Sequence, residues 1–454
     1  MTASPAHHRE TAEAALRWVL DQVRWDAAGP WVPESVAVDP LDGSTDGAAA
    51  GAAGGAATPP DGRRGIHSGT GGLALLLAEV RLARPWTTEE ATLAAAVADQ
   101  LRAATATETE VSFFDGLAGT LSVLLALGEP GAEAVIERLL ALATPDGWPT
   151  PWLEPPTYAP DARICDATLG TAGVLLAAAW AHRRGVPRAD ELAAHAAAVL
   201  LGEAEETADG PRWLFVPRRF RDTPPTEMPG WSHGQAGIAS ALAVAGSELG
   251  RPDLVEAARR GTERLLALAD TSGGGLTVPR YVPPLESGDD PVSYGWCHGA
   301  AGTSQVFAAL RHAGVADVGG HPPAHWQRAA FRSVRAAGVP ARLRPGHWDN
   351  DGQCCGTAGV GDLLLNLWQR DRDGDHLAYA VEIGDALVSR AQGTGSHRWW
   401  RFVEHRAEQP LLPGVGWMQG AAGIAAYLLR LARLLEQGPD APAVERADTW
   451  WARG

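Results

Sequence analysis

Cysteine is scarce in this sequence: four in 454 residues, two of them adjacent. Four thiols cannot build a disulfide framework, and in a reducing compartment such residues point instead to metal binding or catalysis. Met1 to Trp25 has no apolar h-region, so no secretory signal peptide is expected. Long uncharged apolar runs are also missing, because Gly or charge interrupts the Ala/Leu-rich stretches; this argues against a membrane span. Positive charge is in deficit, 38 Lys+Arg against 54 Asp+Glu, for a formal net charge of −16. A surface of that sign repels phosphate backbones, so nucleic acid is not an expected partner. Strand-like alternation is absent, and no sheet is expected. The expected location is the cytosol.

What recurs is Gly-x-x-Gly. The seven copies are Gly69/Gly72, Gly116/Gly119, Gly170/Gly173, Gly234/Gly237, Gly299/Gly302, Gly356/Gly359 and Gly420/Gly423. Their first glycines fall 47, 54, 64, 65, 57 and 64 residues apart, the signature of a repeat architecture. Each copy opens an apolar run of helical length, such as GLALLLAEVRL or IAAYLLRLARLL. More polar, amphipathic stretches lie between them, such as RPDLVEAARRGTERLLALA. An apolar helix must be covered on nearly all sides, whereas an amphipathic one can face water. Seven inner helices ringed by outer ones satisfy both, so the expected fold is all-α: an (α/α) barrel, or toroid, of seven helical hairpins. An open α-solenoid is the alternative. The toroid is expected over residues 64–454. Residues 1–63 are expected to hold an amphipathic helix over 9–25 and a flexible Gly/Ala/Pro-rich segment from Ser44 to Gly62.

The first glycine of each copy also serves as a ruler. The residues just before it are Ser68, Asp115, Leu169, His233, His298, Cys355 and Gln419; one place earlier stand His67, Phe114, Thr168, Ser232, Cys297, Cys354 and Met418. In a closed ring these loops gather at one end of the barrel. Cys297 and Cys354 share a slot in consecutive repeats and Cys355 follows, so three thiols are expected side by side. That is a soft-metal donor set, with Zn²⁺ its natural occupant and a fourth coordination position left open. The competing reading is three buried free cysteines acting as small apolar residues. Inner-helix N-termini aimed at this mouth favour anions and thiolates.

His233, in WSHGQAG, is a candidate acid or base near neutrality. Asp166, in CDATLGTAG, is a candidate to orient it or to hold a substrate group; each has a helix-capping alternative. His298 is expected to contact substrate or to hydrogen-bond its own loop. His67 and Asp115 read as structural, and Cys165 as no ligand. Trp231, Trp296 and Trp417 recur three places before the first glycine, and proline-rich segments precede several repeats. Trp231 and Trp296 are therefore candidates for aromatic walls around a peptide, or for packing.

GWCHGAAG, QCCGTAG, WSHGQAG and DATLGTAG, in this sevenfold context, resemble the lanthionine synthetase C-like (LanC-like) cyclases, over essentially the whole chain after residue 64. The resemblance implies an α/α toroid whose zinc is held by Cys297, Cys354 and Cys355, with His233 as acid/base and Asp166 as an active-site aspartate. The implied reaction adds peptide cysteine thiols to dehydroalanine or dehydrobutyrine, forming thioether rings. The implied partners are a dehydrated precursor peptide and a separate dehydratase. The sequence departs from the commoner pattern in having Cys355 where a histidine is usual, Ser293 where an arginine is usual four residues before the first cysteine, and His298 where a tyrosine is frequent. The three-cysteine set resembles a variant found in the cyclase domains of fused synthetases.

Other functions fit the same slots: addition of a small thiol such as glutathione to dehydrated proteins, a zinc thiol-alkyltransferase resembling prenyltransferases, or a non-catalytic zinc-stabilised peptide scaffold. The alkyltransferase lacks an obvious basic cluster for a diphosphate. A toroidal glycosidase is disfavoured because the slots carry thiols rather than a carboxylate pair.

Overall fold

The computed structural model describes residues 4–37, 60–151, 159–221, 226–284, 290–341, 350–402 and 412–453. Seven inner helices each begin immediately after the first glycine of a repeat: α2 (Thr70–Ala83), α4 (Leu117–Leu127), α6 (Thr171–Arg183), α8 (Gln235–Glu248), α10 (Ala300–His312), α12 (Thr357–Asp371) and α14 (Ala421–Gln437). Each first glycine is the helix N-cap and uses no side chain to cap it. The steric reason is a close approach. A Cβ on Gly302 would collide with the carbonyl of Trp296, and one on Gly423 with that of Trp417. Thus the second glycine lets the incoming loop lie flat on the first helical turn.

Six outer helices alternate with these: α3 (Thr88–Thr105), α5 (Ala132–Leu142), α7 (Ala189–Gly202), α9 (Pro252–Leu268), α11 (Pro323–Ala336) and α13 (Gly374–Arg390). Burial follows the expected division of labour. Every residue of α8 from Gln235 to Gly246 is buried, whereas α9 buries only Leu254, Ala258, Gly261, Thr262 and Leu265, a single stripe. Neighbouring inner helices pack in sequence, and α14 packs back on α2, closing the ring. A buried ion pair, Arg433 Nη2 to Glu79 Oε2 at 2.6 Å, ties that seam.

The seventh outer position is filled by α1 (Pro5–Asp21), which packs on α14. It starts earlier than the expected 9–25 because Ser4 accepts a hydrogen bond from His7 N and Pro5 occupies the first turn. It ends where the chain turns into a small hairpin, β1 (Arg24–Asp26) with β2 (Gly29–Trp31). A second hairpin joins β3 (Glu205–Thr207) and β4 (Gly210–Arg212). These three-residue strands correct the expectation of no sheet. Their turns rest on Gly29 and Gly210 at φ +111° and +122°, a signal too short to break a helical reading. The segment from Ser44 to Gly62 lies mainly outside the described residues; its last three join a short 3₁₀ helix, Pro60–Arg64.

The Trp18 side chain on α1 is fully buried, with its ring 6.0 Å from that of Trp399. Trp18→Ala is expected to cost about 3–5 kcal/mol, read as a lower urea midpoint at unchanged slope. A loss below about 1 kcal/mol would place it among surface-type substitutions and show that α1 adds little to the ring.

The two ends of the barrel differ. The last described residues cross the C-terminal ends of the inner helices: Arg370 Nη1 donates to Trp451 O (3.1 Å), and the Trp450 ring lies 4.9 Å from His312. Arg446 reaches inward to Asp362 Oδ2 (3.2 Å), whose Oδ1 accepts from Arg430 (2.7 Å). At the other end, the slot residues are stitched together by main-chain bonds. Met418 N donates to His67 O (3.0 Å), Cys354 N to Met418 O (2.9 Å), Cys297 N to Cys354 O (3.2 Å), Ser232 N to Cys297 O (2.9 Å) and Phe113 N to Thr168 O (2.9 Å). Thr168 Oγ1, 3.2 Å from Ser232 O, bridges repeats three and four, and His67 N to Phe114 O (3.3 Å) completes the belt.

Candidate functional site

On this belt the slots of repeats five and six are adjacent, which brings the three cysteines together. Cys297 Sγ lies 3.0 Å from Cys355 Sγ, and Cys355 Sγ 3.4 Å from Cys354 Sγ; all three sulfurs fall within 4.8 Å of one another. Cys297 is buried and the other two are half-buried. As free thiols they are crowded. The shared hydrogen with Cys297 is the first cause pushing both Cys354 and Cys355 well above an ordinary thiol, and burial adds to it. Several thiolates in one small space repel, and a cation among them removes that penalty. Tetrahedral zinc with Zn–S near 2.3 Å sets sulfurs about 3.8 Å apart, so the cluster needs only modest opening to hold one. Cys355 directly precedes the N-cap of α12 and Cys297 lies two residues before that of α10, where helix dipoles favour negative sulfur. Cys165 is buried apart from this group, and burial raises its thiol.

Repeat four supplies His233. Its Nδ1 is 2.7 Å from Asp166 Oδ2 and 3.0 Å from Thr168 Oγ1. The Asp166 carboxylate is fully buried, and its Oδ1 accepts from Thr168 N (3.2 Å) and Leu169 N (2.7 Å). A carboxylate only accepts, so Nδ1 carries the proton and the imidazole lone pair lies on Nε2. Burial lowers the imidazole's affinity for a proton, but the Asp166 hydrogen bond and charge, with the charge of Cys297, outweigh it, and the net shift is upward from 6.5. Neither residue is a helix N-cap, since Gly170 and Gly234 hold those positions.

His298 lies beside His233, ring centroids 5.4 Å apart, and 5.8 Å from Tyr281. Phe215 meets His233 edge-on at 5.7 Å. Sequence reasoning missed Phe215, Tyr281 and the role of Thr168. Of these only Thr168 carried a signal, its slot one place from the first glycine's neighbour. Trp231 exposes no surface and packs at 5.0 Å on Trp296, which is 6 % exposed and meets Phe114 at 5.5 Å. Trp231 therefore belongs to packing rather than to a substrate wall. The proline-rich segments fall partly outside the described residues.

Toward repeats one to three a cavity of about 660 Å³ opens, lined by Arg64, Glu110, Asp115, Thr150 and Leu169 among others. Leu169 is the residue whose amide holds Asp166, so this cavity adjoins the dyad. Burial first, then Glu110 and Glu34, raise Asp115 to about 6. Burial lowers His67, with Glu34 opposing. Its Nδ1 is 2.8 Å from Ser68 Oγ, and its carbonyl joins the belt. No helix among the described residues is long and apolar enough to cross a membrane.

Among known proteins, no curated sequence matches the chain. A solved structure described as "Nisin cyclase" is similar over 85 % of this chain and 95 % of that one, at 14 % identity and a TM-score of 0.55. That likeness shows a shared α/α toroid. A solved structure of a D-mannose isomerase is less similar, over 94 % of this chain and 97 % of that one, at 12 % identity and a TM-score of 0.47. A family model described as "Lanthionine synthetase C-like protein" matches residues 61–438, most of the chain and all seven glycine pairs. The chain belongs to the lanthionine synthetase C-like family.

Proposed function

We propose that the protein is a lanthionine synthetase-type cyclase, closing thioether rings in a dehydrated peptide prepared by a separate dehydratase. One juxtaposition carries the reading: three sulfurs within 4.8 Å on consecutive slots, with the Asp166-held His233 on the next slot of the same belt.

Cys297, Cys354 and Cys355 would hold one zinc ion, which when bound supplies Lewis acidity that favours the thiolate of a substrate cysteine. The remaining chemistry is this chain's own. His233 Nε2 accepts the thiol proton, and Asp166 stabilises the imidazolium that results. The sulfur electron pair forms a bond to the β-carbon of the dehydro residue while the C=C π pair moves toward the carbonyl. His233 then returns the proton to the α-carbon, which restores the neutral imidazole. Phe215 and Tyr281 line this group with apolar surface that limits water. The cavity beside Leu169 gives room for the rest of a flexible peptide, whose two ends gain most from being held together.

The test is direct. Purified protein is expected to carry about one zinc per chain, as three thiolate ligands predict, and to consume peptide thiols without changing peptide mass, because addition within one chain is an isomerisation. Supplying glutathione with a cysteine-free dehydrated peptide separates the small-thiol reading, since that product gains the mass of glutathione. Tight peptide binding with no thiol loss would leave only a scaffold and sink the proposal.

A further inference from the structure

Arg280 carries a charge that the described residues leave largely unanswered. It lies in a short extended segment clamped between the loops of repeats four and five. Arg280 N donates to Pro291 O (2.8 Å), and Pro279 forms an isolated bridge with Val292, in the segment that runs on to Cys297. On the other side Val282 and Glu227 exchange two main-chain bonds of 2.9 Å, on the loop that runs on to His233. Glu227 is itself fixed by Arg212 (2.7 Å) and Arg264 (3.0 Å), so the clamp is rigid. The side chain is only 4 % exposed.

Within that setting the guanidinium has no carboxylate partner among the described residues. Its one side-chain hydrogen bond is long, Nη1 to Asp290 O at 3.4 Å, and its buried Nε has no acceptor. The Tyr281 ring, 5.3 Å from Cζ, is its other neighbour. Burying a cation without an anion costs several kcal/mol, so an acceptor that arrives with a ligand is the natural complement. A run of ring contacts indicates where that ligand sits. Tyr281, the next residue, continues through His298 to His233 in ring contacts of 5.8 and 5.4 Å. Arg280 thus stands behind Tyr281 on the side of the His298–His233 pair, in a segment paired with the loops that carry Cys297 and His233.

Addition of a thiolate to a dehydro residue builds negative charge in one place besides the α-carbon: the carbonyl oxygen conjugated with it. We propose that Arg280 binds that carbonyl oxygen, donating N–H bonds that strengthen as the S–C bond forms and the π pair moves onto oxygen. When His233 delivers its proton to the α-carbon the pair returns, the carbonyl is restored, and Arg280 keeps its charge throughout. Donors already in place, in a dry site, stabilise such an oxyanion without reorganising. The planar fork suits an amide oxygen better than a point charge does. This inference rests on the cyclase reading. Its competitor is that Arg280 only offsets the surplus negative charge of a three-thiolate metal site.

The test compares wild type with Arg280→Gln, Arg280→Lys and Arg280→Ala, measuring bound zinc, melting temperature, kcat and KM for one dehydrated cysteine peptide. Arg280→Gln is expected to keep its zinc and its melting temperature and to lose about 10²–10³-fold in kcat, with KM little changed. Arg280→Lys recovers part of the loss, and free guanidinium ion restores part of the rate of Arg280→Ala, a rescue that a packing role would not show. Unchanged kcat in Arg280→Gln overturns the proposal. So does zinc lost in step with activity, which assigns Arg280 to the metal site. An inactive wild type removes the cyclase reading as well; an active wild type with an equally active Arg280→Gln removes this inference alone.

Discussion

Cys354→Ala is expected to empty the metal site and stop ring closure together. Cys354 contributes one of three sulfurs gathered within 4.8 Å, and its main chain is pinned at both ends, N to Met418 O and O to Cys297 N. The substitution therefore removes a donor without loosening the loop. Loss of groups that merely support ligands costs 10–100-fold in metal affinity, so loss of a ligand should exceed about 100-fold, enough to leave little zinc after dialysis. Cyclisation should fall with it by at least as much. Atomic absorption and thiol titration on the same sample check both. Full zinc content with full activity would disprove the site. Cys355→His keeps three donors and is expected to retain zinc, which separates ligand number from disturbance of the belt.

His233→Ala should do the opposite to the metal and nearly the same to the rate. General acid–base groups contribute typically 10²–10⁴-fold, so a loss in that range is expected with zinc retained. The pH dependence follows from the signs. His233 must be neutral to accept the thiol proton, so activity falls as pH drops through its folded pKa. Burial lowers that pKa, yet Asp166's bond and charge, helped by Cys297, place it above 6.5. Asp166→Asn removes the Asp166 contribution and leaves the burial. The acid limb of kcat/KM should therefore move to lower pH, while the maximal rate drops because Nδ1–H loses the carboxylate that fixed its tautomer. An acid limb that stays put in Asp166→Asn would show that another group sets it.

The ring was legible because its signal is local and repeated. Each inner helix needs a glycine at its N-cap and a second where the incoming loop crosses the first turn, and both demands act within a few residues. The same ruler placed Cys297, Cys354, Cys355 and His233 on one belt, since the slots just before the glycine share one backbone path. It failed farther out. The loops differ in length from repeat to repeat, so nothing counted from Gly299 places Arg280 with Tyr281 and His298; that position depends on the pairing of Pro279 with Val292. The recurrence of tryptophan three places before the glycine left a substrate wall and packing both open, and no local count separates them: Trp231 is fully buried against Trp296, a contact between repeats. The pairing of α1 with α14 left no trace in the period because it joins segments at opposite ends of the repeat series.

That pairing has a consequence for how the molecule is made. Residues 5–21 leave the ribosome roughly 400 residues before 421–437, and at 5–20 residues per second the wait is roughly 20–80 seconds. For nearly all of it the apolar side of α1, with Trp18 and Leu16, waits for its native partners, first α13 and Trp399 and then α14. Nascent chains should be held by chaperones until the last inner helix emerges, and arrest before that point should leave an aggregation-prone arc rather than a shorter working ring. A permuted gene that encodes α1 after α14 would turn the slowest contact into a local one, and its protein should fold faster with its chemistry unchanged.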